Sequence, residues 1–235
     1  ALTGEAKHVT GVKTRGSSGA FPADAVMLDT GVVPNVELSR EAGIRLGATG
    51  GIAVSEYMET NIPGIFAAGN CAEAYCILRH RPILHHVGTV AAKQGRVVGD
   101  NLTGKRTKFS GTVGTTILKV FDLAIGRVGL TSNEASAERM RTVSVRIEAL
   151  DRAAYSPGVG KIWIKLIADS DSRRLIGAQS VGYGDVSKRI DVAATAIMSS
   201  MTVREISQLD LSYTPPYGSL WDPLLVAAHT LLKKM

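Results

Sequence analysis

The sequence predicts two blocks: a mixed α/β block over residues 1 to about 108, and an α+β block over 110–235 in which an antiparallel sheet carries helices on one side. Three observations predict this. In the first block, short apolar runs alternate with glycine-rich turns. In the second, Lys161 to Ala168 alternates in polarity, turns through Ser170-Asp171-Ser172 and returns over Leu175 to Val181, the pattern of a β-hairpin. Amphipathic helical stretches, Val186 to Ser199 and Trp221 to Lys234, follow that hairpin.

The elements follow in order. Residues 7–13 alternate like an exposed strand, Arg15 to Gly19 reads as a turn, and Ala23 to Leu28 is a short apolar run expected to be a more buried strand. Val36 to Ala42 reads as a short helix, and Gly43 to Gly51, with four glycines, as a flexible connection before a brief strand over Ile52 to Val54. Pro63-Gly64 turns the chain into Ile65-Phe66-Ala67-Ala68, read as a compact buried strand closed by Gly69. Gly88 to Leu102 has helical texture, with Val97 and Val98 on one side and Lys93 and Arg96 on another. In the second block, Thr115 to Val120, Ala124 to Gly129 and Val143 to Ile147 read as strands, Thr131 to Glu134 as a helix start, and Val203 to Gln208 as a short helix. Lys233 and Lys234 suit the negative end of the last helix's dipole.

Composition narrows the class. The 235 residues include 27 Lys and Arg against 21 Asp and Glu, a net charge of +6. The excess is spread out, and its densest stretches, Arg79 to Arg81 and Lys105 to Lys108, lack interleaved aromatics. It reads as a solvated surface tolerant of anionic cofactors rather than a nucleic-acid interface. No apolar run reaches the roughly 18 residues of a membrane span. With only two cysteines and no secretory signal, a reducing, cytoplasmic setting is expected. A start at Ala1, directly in strand-like sequence, predicts a fragment or a processed product.

The sharpest motif is Thr60-Asn61-Ile62-Pro63-Gly64-Ile65-Phe66-Ala67-Ala68-Gly69-Asn70. A glycine at a strand end lets a ligand approach the backbone, and a small polar residue after it can bond a ribose- or ribityl-type hydroxyl. On spacing alone it is equally an ordinary strand-to-loop turn. The segment resembles the second flavin-binding motif of flavoproteins with two dinucleotide-binding domains. Asp29-Thr30-Gly31-Val32-Val33-Pro34-Asn35 resembles their crossing segment, and His86-Val87-Gly88-Thr89 through Arg96 resembles the helix that points its N-terminus at the flavin.

The whole chain resembles the C-terminal part of a pyridine nucleotide-disulfide oxidoreductase of the coenzyme A disulfide reductase and NADH oxidase group. Phe109-Ser110-Gly111 through Asp122 is similar to the entry to that group's dimerisation domain, and Tyr213-Thr214-Pro215-Pro216-Tyr217 through Pro223 to its tyrosine and proline signature. Tyr155, in Ala154-Tyr155-Ser156-Pro157-Gly158, stands where the group has another tyrosine. The resemblance implies an α/β remnant of the FAD- and NAD(P)-binding domains plus an α+β dimerisation domain. It assigns 1–36 to the tail of the NAD(P)-binding domain, 37–108 to the second part of the FAD-binding domain and 109–235 to the dimerisation domain.

The implied activity is electron transfer from NAD(P)H through FAD to a disulfide, coenzyme A disulfide or oxygen, in a homodimer formed through 109–235. The implied cofactor-binding residues are Gly31, Gly69, Asn70, Cys71, His86, Val87, Gly88, Thr89, Tyr213 and Pro215. Tyr155 and Tyr213 are implied auxiliary catalytic groups reaching across the dimer, the redox cysteine lying outside this chain. Asn70 stands in place of the usual Asp and gives up charge-assisted bonding. Ala92 and Trp221 replace polar or basic coenzyme A contacts, which favours a broader NAD(P)H oxidase or disulfide reductase. The alternative is a non-catalytic dimerisation module or a truncated fragment without activity of its own.

Other signals read as structural. Cys71 and Cys76 have the spacing of a redox pair but are expected to be two separate thiols. His80, His85 and His86 show no zinc-like spacing, and no metal site is expected. Gly158-Val159-Gly160-Lys161 lacks the Ser or Thr of a phosphate loop and reads as a hairpin lead-in; Trp163 reads as sheet packing.

Overall fold

The computed structural model describes residues 1–235, and the chain forms two compact units, 1–33 and 34–235. The first is a three-stranded antiparallel sheet of β1 (Leu2–Glu5), β2 (His8–Lys13) and β3 (Ala20–Pro22), with β2 in the centre. The strand expected over Ala23 to Leu28 is absent. Residues 20–22 occupy the free edge of β2, Ala23 makes one last bond to Thr10, and the run beyond finds no ladder. Met27 and Leu28 stand 92% and 71% exposed.

The second unit opens with α1 (Glu37–Glu41). The strand expected over Ile52 to Val54 is reduced to two bridges at Ile52, one antiparallel to Leu46 and one parallel to Ala72; in the latter Ile52 donates to the Cys71 carbonyl and accepts from the Glu73 amide. The buried strand expected at Ile65 to Ala68 is also reduced to a bridge, Phe66 to Glu59. Its available ladder is the short stretch across the Pro63-Gly64 turn, so Ile65 is left 40% exposed. A small hairpin, β4 (Ala74–Cys76) and β5 (Arg81–Ile83), leads to α2 (Gly88–Leu102). The apolar side of α2 packs Val97 against Met58 and Ala72.

The rest is built on a five-stranded antiparallel sheet. Its strands are β6 (Thr116–Val120), β7 (Leu123–Gly129), β8 (Thr142–Leu150), β9 (Lys161–Asp169) and β10 (Leu175–Gly182), in the spatial order β6-β7-β10-β9-β8. The predicted hairpin is β9–β10, its turn held by Asp169, whose carboxylate accepts from the Ser172 amide at 2.7 Å. Ile162, Ile164, Leu166 and Ala168 share one face. Against that face lie α4 (Ser187–Met198), α5 (Val203–Ile206) and α6 (Pro223–Leu232), which together close the main core.

Helices are not confined to that side. α3 (Ser132–Ala137), capped by reciprocal Thr131 and Glu134 bonds, buries Ala135 with Leu130, Ile167 and Ile176 in a second cluster. Ile167 alternates away from Leu166, so this cluster serves the opposite face. The same Glu134 pairs with Arg79 at 2.8 Å and Arg127 at 2.7 Å, fastening the segment between β4 and β5 to the sheet. The remainder of that face is open. Trp163 lies there, bonded to Glu148 across the β8–β9 pair, beside a cavity of about 500 Å³ bordered by Arg146, Lys165 and Gln179. No helix is long and apolar enough to cross a membrane.

Candidate functional site

Gln94 organises the glycine turn. It lies on the buried stripe of α2 with Val90 and Val97 and is fully inaccessible. Its side-chain oxygen accepts the Gly69 amide at 2.9 Å, and its side-chain nitrogen donates to the Glu73 carbonyl at 3.1 Å. One amide therefore ties both the 69–71 turn and the 72–74 segment to the helix. Gly69 has φ +92°, a left-handed conformation in which a side chain would be strained, and the space a Cβ would enter is open. Asn70 beside it is exposed, and the Cys71 sulfur rests 3.8 Å from the Ala68 carbonyl. Behind the turn, buried Glu73 accepts from the Thr49 hydroxyl at 2.7 Å and fixes the glycine-rich 47–51 segment.

The start of α2 is uncapped. Val87 supplies no side-chain bond, Gly88 and Thr89 are exposed, and their amides have no partner within the chain. The His86 Nδ1 atom just ahead is buried and without a hydrogen-bond partner. His85 lies 3.3 Å from the Thr112 hydroxyl, and burial first, then Arg127 and His86, lower its pKa and so favour the neutral imidazole. Of the residues expected to hold a cofactor, Gly69, Asn70, Cys71 and His86 through Thr89 thus lie along α2 and the turn fastened to it. Gly31, with φ +111°, belongs to the first unit.

Tyr155, Tyr213 and Pro215 belong to a different neighbourhood. Tyr155 is 79% exposed in the β8–β9 loop and Tyr213 48% exposed in the α5–α6 loop, and neither bonds to the Gly69 turn or the start of α2. Their loops converge on the first turn of α4. Arg189, 1% exposed, donates to the Asp151 carbonyl at 2.7 Å and the Asp185 carbonyl at 3.0 Å, and lies 2.9 Å from the Asp222 carboxylate. Asp222 also caps α6 through the Leu224 amide, and Lys188 donates to the Ser212 carbonyl, next to Tyr213.

The Asp151 carboxylate accepts from the amides of Gly160 and Asp185, each at 2.9 Å, and pairs with Arg152 at 2.8 Å. Space is tight: a Cβ on Gly184 would stand 2.5 Å from that carboxylate, and one on Gly160 would stand 2.4 Å from the Gly184 nitrogen. Burial pushes the Asp151 carboxyl up, but Arg152 and the two amides outweigh it and hold it below the ordinary range. A carboxylate with a depressed folded pKa adds stability above its unfolded value, about 3.9, and loses it as pH falls through the folded one. The loss of stability between pH 5 and pH 3, measured by urea denaturation, is therefore expected to be shallower in Asp151→Asn than in the parent. Equal acid slopes would refute the assignment.

Sequence reasoning did not single out Gln94, Glu73, Asp151, Arg189 or Asp222. Cys71 and Cys76 are free thiols, one half-buried and one buried. No group of three or more His, Cys, Asp or Glu side chains is placed to hold a metal.

Residues 1–95 match the pyridine nucleotide-disulphide oxidoreductase model, and residues 115–222 match the dimerisation domain of the same proteins. The chain belongs to the pyridine nucleotide-disulfide oxidoreductase family. Within it, the chain is 39% identical to an NAD(P)H sulfur oxidoreductase (CoA-dependent) of Pyrococcus abyssi, over 91% of this chain and 48% of that protein. It is 38% identical to an NADH oxidase of Methanocaldococcus jannaschii, over 92% and 48%. Among solved structures, an NAD-dependent persulfide reductase from A. fulgidus superposes with a TM-score of 0.92 at 41% identity, covering 99% of this chain and 43% of that one. The chain spans about half the length of the curated relatives it matches.

Proposed function

We propose that this chain is the C-terminal portion of an FAD-dependent NAD(P)H oxidoreductase that delivers electrons to a disulfide or persulfide, with oxygen as a competing acceptor. In this reading 1–36 is the tail of the NAD(P)-binding domain, 37–108 the second part of the FAD-binding domain and 109–235 the dimerisation domain. The observation that carries it is the Gln94 bond from α2 to the Gly69 amide. It keeps an open, left-handed glycine beside a helix whose leading amides are free. The unpartnered, buried His86 Nδ1 adds an atom waiting for a polar group. These features fit a flavin dinucleotide: a helix N-terminus favours negative charge, and a glycine turn admits a ribityl–phosphate chain. Asn70 would bond a hydroxyl there without the strength of a carboxylate.

Bound there, FAD would supply the two-electron relay between NAD(P)H and the acceptor. This chain's own residues orient it and keep the start of α2 pointed at it. The acceptor class follows the relatives named for sulfur, persulfide and coenzyme A chemistry. Tyr155 and Tyr213, exposed and distant in bonding from the Gly69 turn, suit a role toward a partner subunit, where a phenol would give a proton to a departing thiolate. Exposed Ile117, Leu118 and Phe121 on the β6–β7 hairpin give the dimer apolar surface to bury.

The test is spectroscopic. The purified holoenzyme should absorb near 450 nm, bleach with NAD(P)H in the absence of oxygen, and recover its colour with coenzyme A disulfide or a persulfide. Recovery with oxygen alone would make it an oxidase. A colourless dimer that takes up no FAD would leave a dimerisation module.

A further inference from the structure

Arg189 is the largest fully buried side chain in the protein, and its reach is unusual: it contacts both tyrosine-bearing loops at once. On one side it holds the Asp151 backbone, where the loop of Tyr155 leaves β8. On the other it holds the Asp222 carboxylate, where the loop of Tyr213 enters α6.

We propose that Arg189 is a positioning residue that sets the Tyr155 and Tyr213 loops as one rigid unit for the acceptor reaction. The inference rests on the reading above, in which the tyrosines serve the acceptor. Four features support it. The guanidinium's planar fork lets one residue bond groups on different segments in fixed directions, which a lysine cannot reproduce. The Tyr155 loop is closed on itself at its base, where Asp151 receives the Gly160 amide, and its bonds outward both pass through Asp151: the carbonyl to Arg189 on α4, and the carboxylate to the Asp185 amide just ahead of that helix. The Tyr213 loop is held from the same turn of α4, by Lys188 on the Ser212 carbonyl and by Asp222 against Arg189. Finally, the tyrosines themselves make no side-chain hydrogen bond, so the orientation of both phenols depends on how their loops are held.

The experiment compares the holoenzyme with Arg189→Lys, Tyr155→Phe/Tyr213→Phe, and the three changes combined. The rates measured are anaerobic flavin bleaching by NAD(P)H and turnover with coenzyme A disulfide. If Arg189 acts through the phenols, Arg189→Lys slows disulfide turnover by about tenfold or more, leaves bleaching unchanged, and adds nothing, within about twofold, once the phenols are gone. Hydrogen exchange at 151–160 and 209–222 rises together in Arg189→Lys. An equal loss with and without the phenols, or faster exchange in one loop alone, overturns the proposal. No loss of disulfide turnover from the double phenylalanine variant would instead overturn the acceptor role of the tyrosines, and this proposal with it. Should Arg189→Lys fail to fold, Asp222→Asn keeps the α6 cap and the side-chain volume while removing the charge that Arg189 meets, and the same comparison applies.

Discussion

Gln94→Leu is expected to cost the fold about 2–4 kcal/mol and to lower the flavin content of the purified holoenzyme. The leucine fills a similar volume and suits the apolar stripe of α2, so the cost is not one of packing. It comes from two backbone groups, the Gly69 amide and the Glu73 carbonyl, that lose their partner; a buried group left unpaired costs about 1–3 kcal/mol. The Glu73 carbonyl sits in a buried segment and pays fully, whereas Gly69 is half-exposed and can recruit water, so the sum falls short of the maximum. Urea denaturation measures the cost, and the ratio of 450 to 280 nm absorbance measures the flavin. Gln94→Met, equally apolar but more adaptable, separates shape from bonding: it should cost as much as leucine. A leucine variant of unchanged stability and full colour would mean that the Gly69 turn holds itself.

The same residue shows where sequence reasoning stops. Helix α2 was legible end to end, because Gly88 to Leu102 has helical texture, with Val90 and Val97 on the buried side and Arg96 turned away from it. Gln94 falls at i+4 from Val90 and three before Val97, inside the apolar stripe, and a polar residue in that position is the one signal that could have flagged it. Arg189 repeats the case: Val186, Ile190, Ala193 and Ile197 line the buried face of α4, and Arg189 sits among them. Asp222 before Pro223 is a helix start that sequence alone could have marked, since Asp caps well and Pro suits the first turn. What such signals cannot supply is the partner. That Arg189 meets the Asp151 carbonyl depends on a separation of 38 residues along the chain.

Strands divide along the same line. The alternation of β9 and β10 was decisive because each has neighbours on both edges and one face on the main core, so polarity and pairing agree. The runs at Ala23 to Leu28 and Ile65 to Ala68 were equally apolar but have little or no ladder to join, and apolar composition without pairing does not make a strand. The candidate cofactor residues were placed through resemblance to a family, whereas Gln94, the amide that fastens them, fell inside the quoted helix segment with no role assigned to it.

The second large effect is expected from Arg189→Met, a loss of about 3 kcal/mol. Removing one member of a buried pair leaves the other as an uncompensated charge, which typically costs 3–5 kcal/mol. Here the remaining partner, Asp222, keeps the Leu224 amide and has Lys188 at 3.7 Å, so the value belongs at the low end of that range. Adding Asp222→Leu should recover part of the loss, because the stranded charge goes with it. Recovery should be incomplete for two reasons. The cap of α6 is worth about 1 kcal/mol, and the carbonyls of Asp151 and Asp185 remain without the donor that Arg189 provided. The double variant is therefore expected to be more stable than Arg189→Met and less stable than the parent, a non-additivity that urea denaturation of the four proteins reads directly. If the two losses simply add, Arg189 and Asp222 stabilise the fold independently, and the ion pair at 2.9 Å contributes nothing as a pair.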